Sequence, residues 1–189
     1  MKEQPMDPLM YDVPDELMTE RLRLRVPRAG DGALVFPAVK ASIVELQKWM
    51  PWATPEYAET DAELWCRRSF VDFHARKSAQ MLMLLGDRHL GNLGAFDLKL
   101  DVRSCEIGYW LRTDETGRGY MTEAVSALSI FLMKHLKVHR IQIKCDVRND
   151  ASAAVAKRCG YQFEGTLRHD ALDSSAAHRD THVFSRLFD

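Results

Sequence analysis

Two glycines one residue apart, Gly117 and Gly119, stand where an apolar, aromatic and β-branched run hands over to an amphipathic one. Before them, Ser104-Cys-Glu-Ile-Gly-Tyr-Trp-Leu111 reads as a strand. After them, Ala124, Val125, Leu128, Phe131, Leu132 and Leu136 recur at three- and four-residue spacing, the stripe of an amphipathic helix. Glycine tolerates positive φ and removes the Cβ that blocks close backbone approach. The first N–H groups of a helix have no internal partner and carry the positive end of its dipole. A glycine-rich strand-to-helix turn is therefore a cradle for phosphate oxygens. The plain alternative is that these glycines only make a turn, and on the pair alone that alternative stands.

The rest of the chain supplies one domain around this junction. Its 189 residues suffice for one sizeable core and are too few for two ordinary ones. At 46% hydrophobic and 28% charged residues the composition is that of a soluble globular protein. A net charge of −1 gives no basic field for a nucleic-acid partner. No run approaches the ~18 apolar residues of a membrane span, and the first residues lack the apolar core of a signal peptide. Cys66, Cys105, Cys145 and Cys159 are scattered without Cys-x-x-Cys or paired histidines, so they read as reduced thiols in a cytoplasmic protein, with no metal site.

Residues 1–18 carry three prolines and little periodicity, and are expected as a mobile or draped N-terminal arm before a domain spanning 19–189. Residues 19–26 alternate as a strand, 31–47 as a helix disturbed by Pro37, and 56–79 as a helix with acid at its start. That acid (Glu56, Glu59, Asp61, Glu63) either complements the helix dipole or forms a rim for a cationic substrate. Between the helices, Trp49 and Trp52 flank Met50-Pro51, as core plugs or as walls of a binding site. Strands follow at 81–85 and 89–100, where Gly91 and Gly94 suggest a bulge or a close approach. After the glycine loop and its helix come a strand at 139–147, a short helix capped at Asn149-Asp150 and stopped by Gly160, and strands at 161–168 and 182–187.

At this point several segments resemble the GNAT acetyltransferases. They are Thr19-Glu-Arg-Leu-Arg-Leu-Arg25, Glu106-Ile-Gly-Tyr-Trp-Leu111, Gly117-Arg-Gly-Tyr-Met-Thr-Glu-Ala124, His139-Arg-Ile141, Asn149-Asp-Ala-Ser152 and Arg158-Cys-Gly-Tyr-Gln-Phe-Glu-Gly165. Within that superfamily they are similar to the RimJ/RimL-type ribosomal-protein N-terminal acetyltransferases, from about residue 19 to 188. The resemblance implies a single α/β (α+β) domain with a mostly antiparallel sheet of six or seven strands, flanking helices and a V-shaped splay. It implies acetyl-CoA as co-substrate, with Trp110, Leu111 and Arg112 along the pantetheine arm. The loop of Gly117, Arg118, Gly119, Tyr120 and Met121 would hold the pyrophosphate, with Thr122 nearby. Asn149 contacts the cofactor in many relatives or simply caps its helix. The loop departs from the family in having Thr116 at its opening and Met121 at its end; backbone contacts survive both changes.

The implied chemistry is direct attack of a primary amine on the thioester. Glu106 is the candidate general base, against the alternative of a charged partner within the sheet. The tyrosine that many relatives use to protonate the departing thiolate aligns with Ala156, which leaves Ser152 as the candidate acid or a helix cap. Asp170 falls one residue short of a second carboxylate found in the RimL-like branch. The acceptor implied is a protein or peptide N-terminus. A small amine such as a polyamine or antibiotic, and a non-catalytic acyl-CoA-binding module, are the competing readings. The resemblance also admits a homodimer.

Overall fold

Met81-Leu-Met-Leu-Leu85 is a run with no polar face, so a strand there must be buried on both sides. In a computed structural model, which describes residues 7–188, it is. The elements run β1 (Glu16–Met18), β2 (Arg23–Arg25), α1 (Gly32–Leu46), α2 (Glu59–His74), β3 (Ala79–Leu85), β4 (Arg88–Lys99) and β5 (Ser104–Leu111). They continue with α3 (Tyr120–Leu136), β6 (Arg140–Asp146), α4 (Asp150–Arg158), β7 (Gln162–Leu172) and β8 (His178–Leu187). One eight-stranded sheet takes the order β1-β2-β3-β4-β5-β6-β8-β7. Its pairs are antiparallel except β5 with β6.

Met81 and Met83 face a core built with α3, where Ala124, Val125, Leu128 and Leu132 pack on Leu93, Ile107 and Ile141. Leu82 and Leu84 face the opposite core with Val35, Ala38 and Val39 of α1, Ala62 and Cys66 of α2, and Trp110. The sheet is thus sandwiched, with α1 and α2 over one face and α3 and α4 over the other. Burying a side chain of this kind contributes about 1.5–3 kcal/mol, so the period-2 division of β3 specifies its register firmly.

The N-terminal edge departs from the expected pattern. Residues 19–26 were expected as one strand, but only Arg23–Arg25 pair with β3. Thr19 to Leu22 instead form a turn, closed by Thr19 N–H donating to the Leu22 carbonyl at 2.8 Å. That turn lets Glu16–Met18 fold back as β1, the strand beyond the six or seven expected, inside the segment read as an arm. Val13, also in that segment, is buried. Three-residue strands are too short for alternation to reveal them.

A bulge shapes β4. Met83 pairs with Gly91, yet the next residue, Leu84, pairs with His89, so one step on β3 spans two on β4. The extra residue reverses parity, and His89 arrives on the same face as Asn92. Gly91 sits at a close approach: a Cβ there would meet the Trp110 carbonyl oxygen at 2.2 Å. Only glycine fits.

Candidate active site

β5 and β6 pair only at Ser104–Arg140, Cys105–Ile141 and Glu106–Gln142. Beyond that they separate, although β5 stays paired to β4 as far as Leu111–Gly91 and β6 to β8 as far as Asp146–Thr181. Anchored on their outer edges and parted on their inner ones, the two strands open a V. A cleft of about 1760 Å³ runs through it, lined on one side by Tyr120, Met121 and Asn149 and on the other by Trp52, Glu106 and Trp110.

The amide cradle lies at one end. Gly117 and Gly119 take φ of +77° and +80°, the left-handed region that glycine adopts without strain. Glu123 N–H closes the first helical bond to the Gly119 carbonyl at 3.0 Å. The N–H groups of Tyr120, Met121 and Thr122 ahead of it bond to no other described residue. These orphaned donors, behind a turn in which Gly117 and Gly119 carry no Cβ, fit the diphosphate of acetyl-CoA. Gly117, Gly119, Tyr120, Met121 and Thr122 all line the cleft with Trp110 and Leu111. Arg112 and Arg118 do not; their side chains pair with Asp114 at 2.9 Å and with buried Glu115 at 3.3 Å.

The turn that precedes β2 braces this cradle. Arg21 Nη1 donates to the Arg118 carbonyl at 3.0 Å, and its Nε to Glu123 at 2.7 Å. Arg21 N–H and the Thr19 hydroxyl both donate to the other Glu123 oxygen. Burial works against the charge on Glu123, but these hydrogen bonds outweigh it and hold the carboxyl below its usual range. The Arg21 guanidinium also lies 4.5 Å from the centre of the Tyr120 ring. Thr19-Glu20-Arg21-Leu22 thus acts as a clasp around the start of α3, a role its strand-like alternation concealed.

The two faces of β5 carry different groups into the V. Tyr109 points toward α4: its hydroxyl donates to the Ser152 carbonyl at 3.0 Å and receives the Ser152 hydroxyl at 3.1 Å. Ser152 N–H in turn donates to the Asn149 side chain at 3.0 Å, so Asn149 caps α4 while it lines the cleft. Burial raises the Tyr109 pKa and keeps its phenol protonated. Cys145, also on the cleft, is raised by burial as well and stays a thiol. No sequence signal had marked Tyr109 beyond its position between Gly108 and Trp110.

Glu106, Gly108 and Trp110 lie on the α1/α2 face, opposite Phe96, Gly94 and Asn92 in the β4 register. Glu106 stands at the apex of the V, its Oε2 accepting from Gln142 at 3.1 Å and paired with Lys144 Nζ at 3.1 Å. Its Oε1 has no partner among the described residues. Trp52 meets Trp110 at 6.3 Å and Tyr57 at 5.7 Å between ring centres, and Trp49 donates to Glu45 at 3.3 Å. Tyr57 is pushed up to about 12 by burial and remains a donor. All of these except Gln142 and Gly94 line the cleft.

The acid at the start of α2 divides by role. Glu56 and Asp61 line the cleft, whereas Glu63 accepts the backbone N–H groups of Gly30 and Gly32 and ties α2 to the start of α1. Asp170 lies exposed on edge strand β7, where the pairing with β8 slips between Leu167 and Ala171, and it is not among the residues that line the cleft. The carboxylate that does so from this end is Asp146, whose pKa is lowered by hydrogen bonds from Arg148.

Comparison with known proteins follows the same lines. The family model described as an acetyltransferase (GNAT) domain matches residues 21–162. The ribosomal-protein-serine acetyltransferase of Escherichia coli (strain K12) is 30% identical over 145 residues, 76% of this chain and 80% of that protein. YdaF of Bacillus subtilis (strain 168) is 28% identical over 176 residues, 90% of this chain and 93% of that one. Among solved structures, RimL, the ribosomal L7/L12 alpha-N-protein acetyltransferase in complex with coenzyme A, has a TM-score of 0.86 at 21% identity. The likeness covers 94% of this chain and 98% of that one. With the amide cradle, the opened sheet and this match in hand, the chain belongs to the GNAT acetyltransferase family.

Proposed function

We propose that this enzyme acetylates the N-terminal α-amine of a protein. One observation carries the reading: the cleft is continuous from the amide cradle, through the V, to a face lined by aromatics and by the half-bound carboxylate Glu106. The kinship with a ribosomal-protein-serine acetyltransferase supports the choice of a protein acceptor.

Acetyl-CoA supplies an activated acetyl thioester. In this reading the free backbone edge of Ile107 to Leu111 orients the pantetheine arm and polarises the thioester carbonyl. The attacking amine must be neutral. With pKa values near 8 for an α-amine and ~10.4 for lysine, deprotonation at pH 7 costs roughly 1.4 and roughly 4.6 kcal/mol respectively. A modest base suffices for the first. Glu106 takes that proton through its unpartnered oxygen, directly or across one water. On the opposite face, Ser152 and Tyr109 form a hydroxyl pair that returns a proton to the departing thiolate. Trp49 and Trp52 shape the acceptor entrance. Among the described residues no group of three or more His, Cys, Asp or Glu is placed to hold a metal ion.

The same reading places the enzyme in the cytoplasm; no described helix is long and apolar enough to cross a membrane. It also assigns homodimer contacts to edge strand β7, where Phe163, Leu167 and Leu172 are exposed. The test is coenzyme A release with N-terminal peptides, polyamines and aminoglycosides as acceptors. Transfer to peptides with a mass gain at the α-amine is expected. Transfer confined to small amines would remove the protein acceptor, and tight coenzyme A binding without any turnover would indicate a binding module.

A further inference from the structure

We infer that Asn92 reads the backbone of an extended peptide acceptor, donating its side-chain N–H to a peptide carbonyl while His89 fixes the amide's orientation. This rests on the acetyl-transfer reading above and adds what the acceptor must be: a peptide of several residues rather than a single amine-bearing unit.

Asn92 is only 6% exposed, and a side chain so buried ordinarily satisfies its amide within the protein. Half of this one is satisfied. Its Oδ1 meets His89 Nε2 at 2.7 Å. An amide oxygen only accepts, so the histidine must be the donor, which fixes the Nε2–H tautomer and turns the amide nitrogen away. That nitrogen bonds to no described residue, yet it is not among the polar atoms sealed from solvent, and Asn92 lines the cleft. A donor on an otherwise buried side chain is therefore open to the cleft, with no partner among the described residues.

The orienting residue is itself costly. His89 is 2% exposed, and its Nδ1 is sealed without a partner among the described residues. It lies edge-on to Trp110 at 5.7 Å, and the β4 bulge brings it to this face. A buried half-satisfied histidine is expensive in a core where leucine would pack. Holding the Asn92 amide in one orientation gives it a purpose.

Reach then selects the ligand. Asn92 and Phe96 lie on one face, and Phe96 is opposite Glu106. Four residues along a strand span about 13 Å at ~3.3 Å each. A molecule that places its amine at Glu106 and a carbonyl at Asn92 must bridge a comparable length, roughly three to four extended residues at ~3.3–3.6 Å each. A single amino-acid amide is too short.

The test compares a tetrapeptide with the amide of its first residue as acceptors, for wild type, Asn92→Leu, Asn92→Ser and His89→Leu. Wild type is expected to prefer the tetrapeptide in kcat/KM. Asn92→Leu should lower that preference by about 3- to 10-fold, the worth of one neutral hydrogen bond, through KM for the peptide rather than kcat. Asn92→Ser, which restores a shorter donor, should recover part of it, and His89→Leu should lose less than Asn92→Leu. Affinity for coenzyme A, measured by calorimetry, should not change. The inference is overturned if the preference survives Asn92→Leu, or if coenzyme A affinity falls instead, since Asn92 would then face the cofactor. It is also overturned if wild type treats both acceptors alike, an outcome that leaves acetyl transfer itself standing. A wild type inert toward every amine would instead remove the acetyl-transfer reading, and this one with it.

Discussion

Replacing Arg21 with Met should loosen the coenzyme A site from outside it. The substitution keeps the apolar stem but removes the Nη1–H bond to the Arg118 carbonyl and the ion pair with Glu123. Three effects point the same way. Losing the bond to the carbonyl costs about 0.5–1.5 kcal/mol in holding the loop. The ion pair joins side chains 40% and 17% exposed, so its own worth is about 0–1 kcal/mol. Glu123, left without its guanidinium, then repels the diphosphate; at an assumed ~8 Å in water-like surroundings this adds about 0.5 kcal/mol. The Thr19 hydroxyl and the residue-21 backbone N–H still bind Glu123, so the turn itself should persist. The sum, about 1–3 kcal/mol, corresponds to a coenzyme A affinity weaker by about 5- to 160-fold, centred near 30-fold. Titration calorimetry at constant salt measures this, with thermal unfolding as a control for stability. Arg21→Lys, which keeps the charge and loses the fork, should fall between. Affinity within twofold of wild type for a folded Arg21→Met protein would refute the clasp.

Glu106→Gln should lower kcat by about 100-fold while coenzyme A affinity holds, because a general base contributes to the chemical step and not to cofactor binding; unchanged kcat would demote Glu106 to a partner of Lys144. Gly91→Ala forces a methyl into the Trp110 carbonyl and should cost at least about 1–3 kcal/mol, seen as a lower Tm together with weaker coenzyme A binding. His89 is pushed down to about 4, chiefly by burial and against the help of Asn92. Its unfolded form takes a proton first, so stability is full above pH ~6.5 and falls by about 3 kcal/mol as the pH drops to ~4. His89→Leu should flatten that part of the acid-unfolding curve; a curve of the same slope in both proteins would count against a neutral buried imidazole.

Strands and helices long enough to show periodicity were legible in the sequence. β3, β5, α3 and β6 lie within a residue or two of where their patterns put them, because each buries a face that dictates its spacing. The glycine turn was legible too, since positive φ at Gly117 and Gly119 leaves little choice of residue. What stayed hidden depends on parity and on turns. His89 and Asn92 are three apart and by alternation belong to opposite faces; only the extra residue in the bulge unites them. Arg21 looked like one tooth of an alternating strand, whereas the turn at Thr19 to Leu22 swings it toward α3. Asp170, one residue short of the aligned position in the sequence, lies exposed beside a slip in the β7 pairing that counting along the chain does not reveal.

The most direct test is a crystal structure with coenzyme A bound. Its diphosphate should sit within hydrogen-bonding distance of the amides between Gly117 and Thr122, with the pantetheine arm between β5 and β6 and the thiol near Glu106 and Ser152. A nucleotide bound elsewhere, or β5 and β6 joined through Leu111 and Asp146 with no gap, would contradict it.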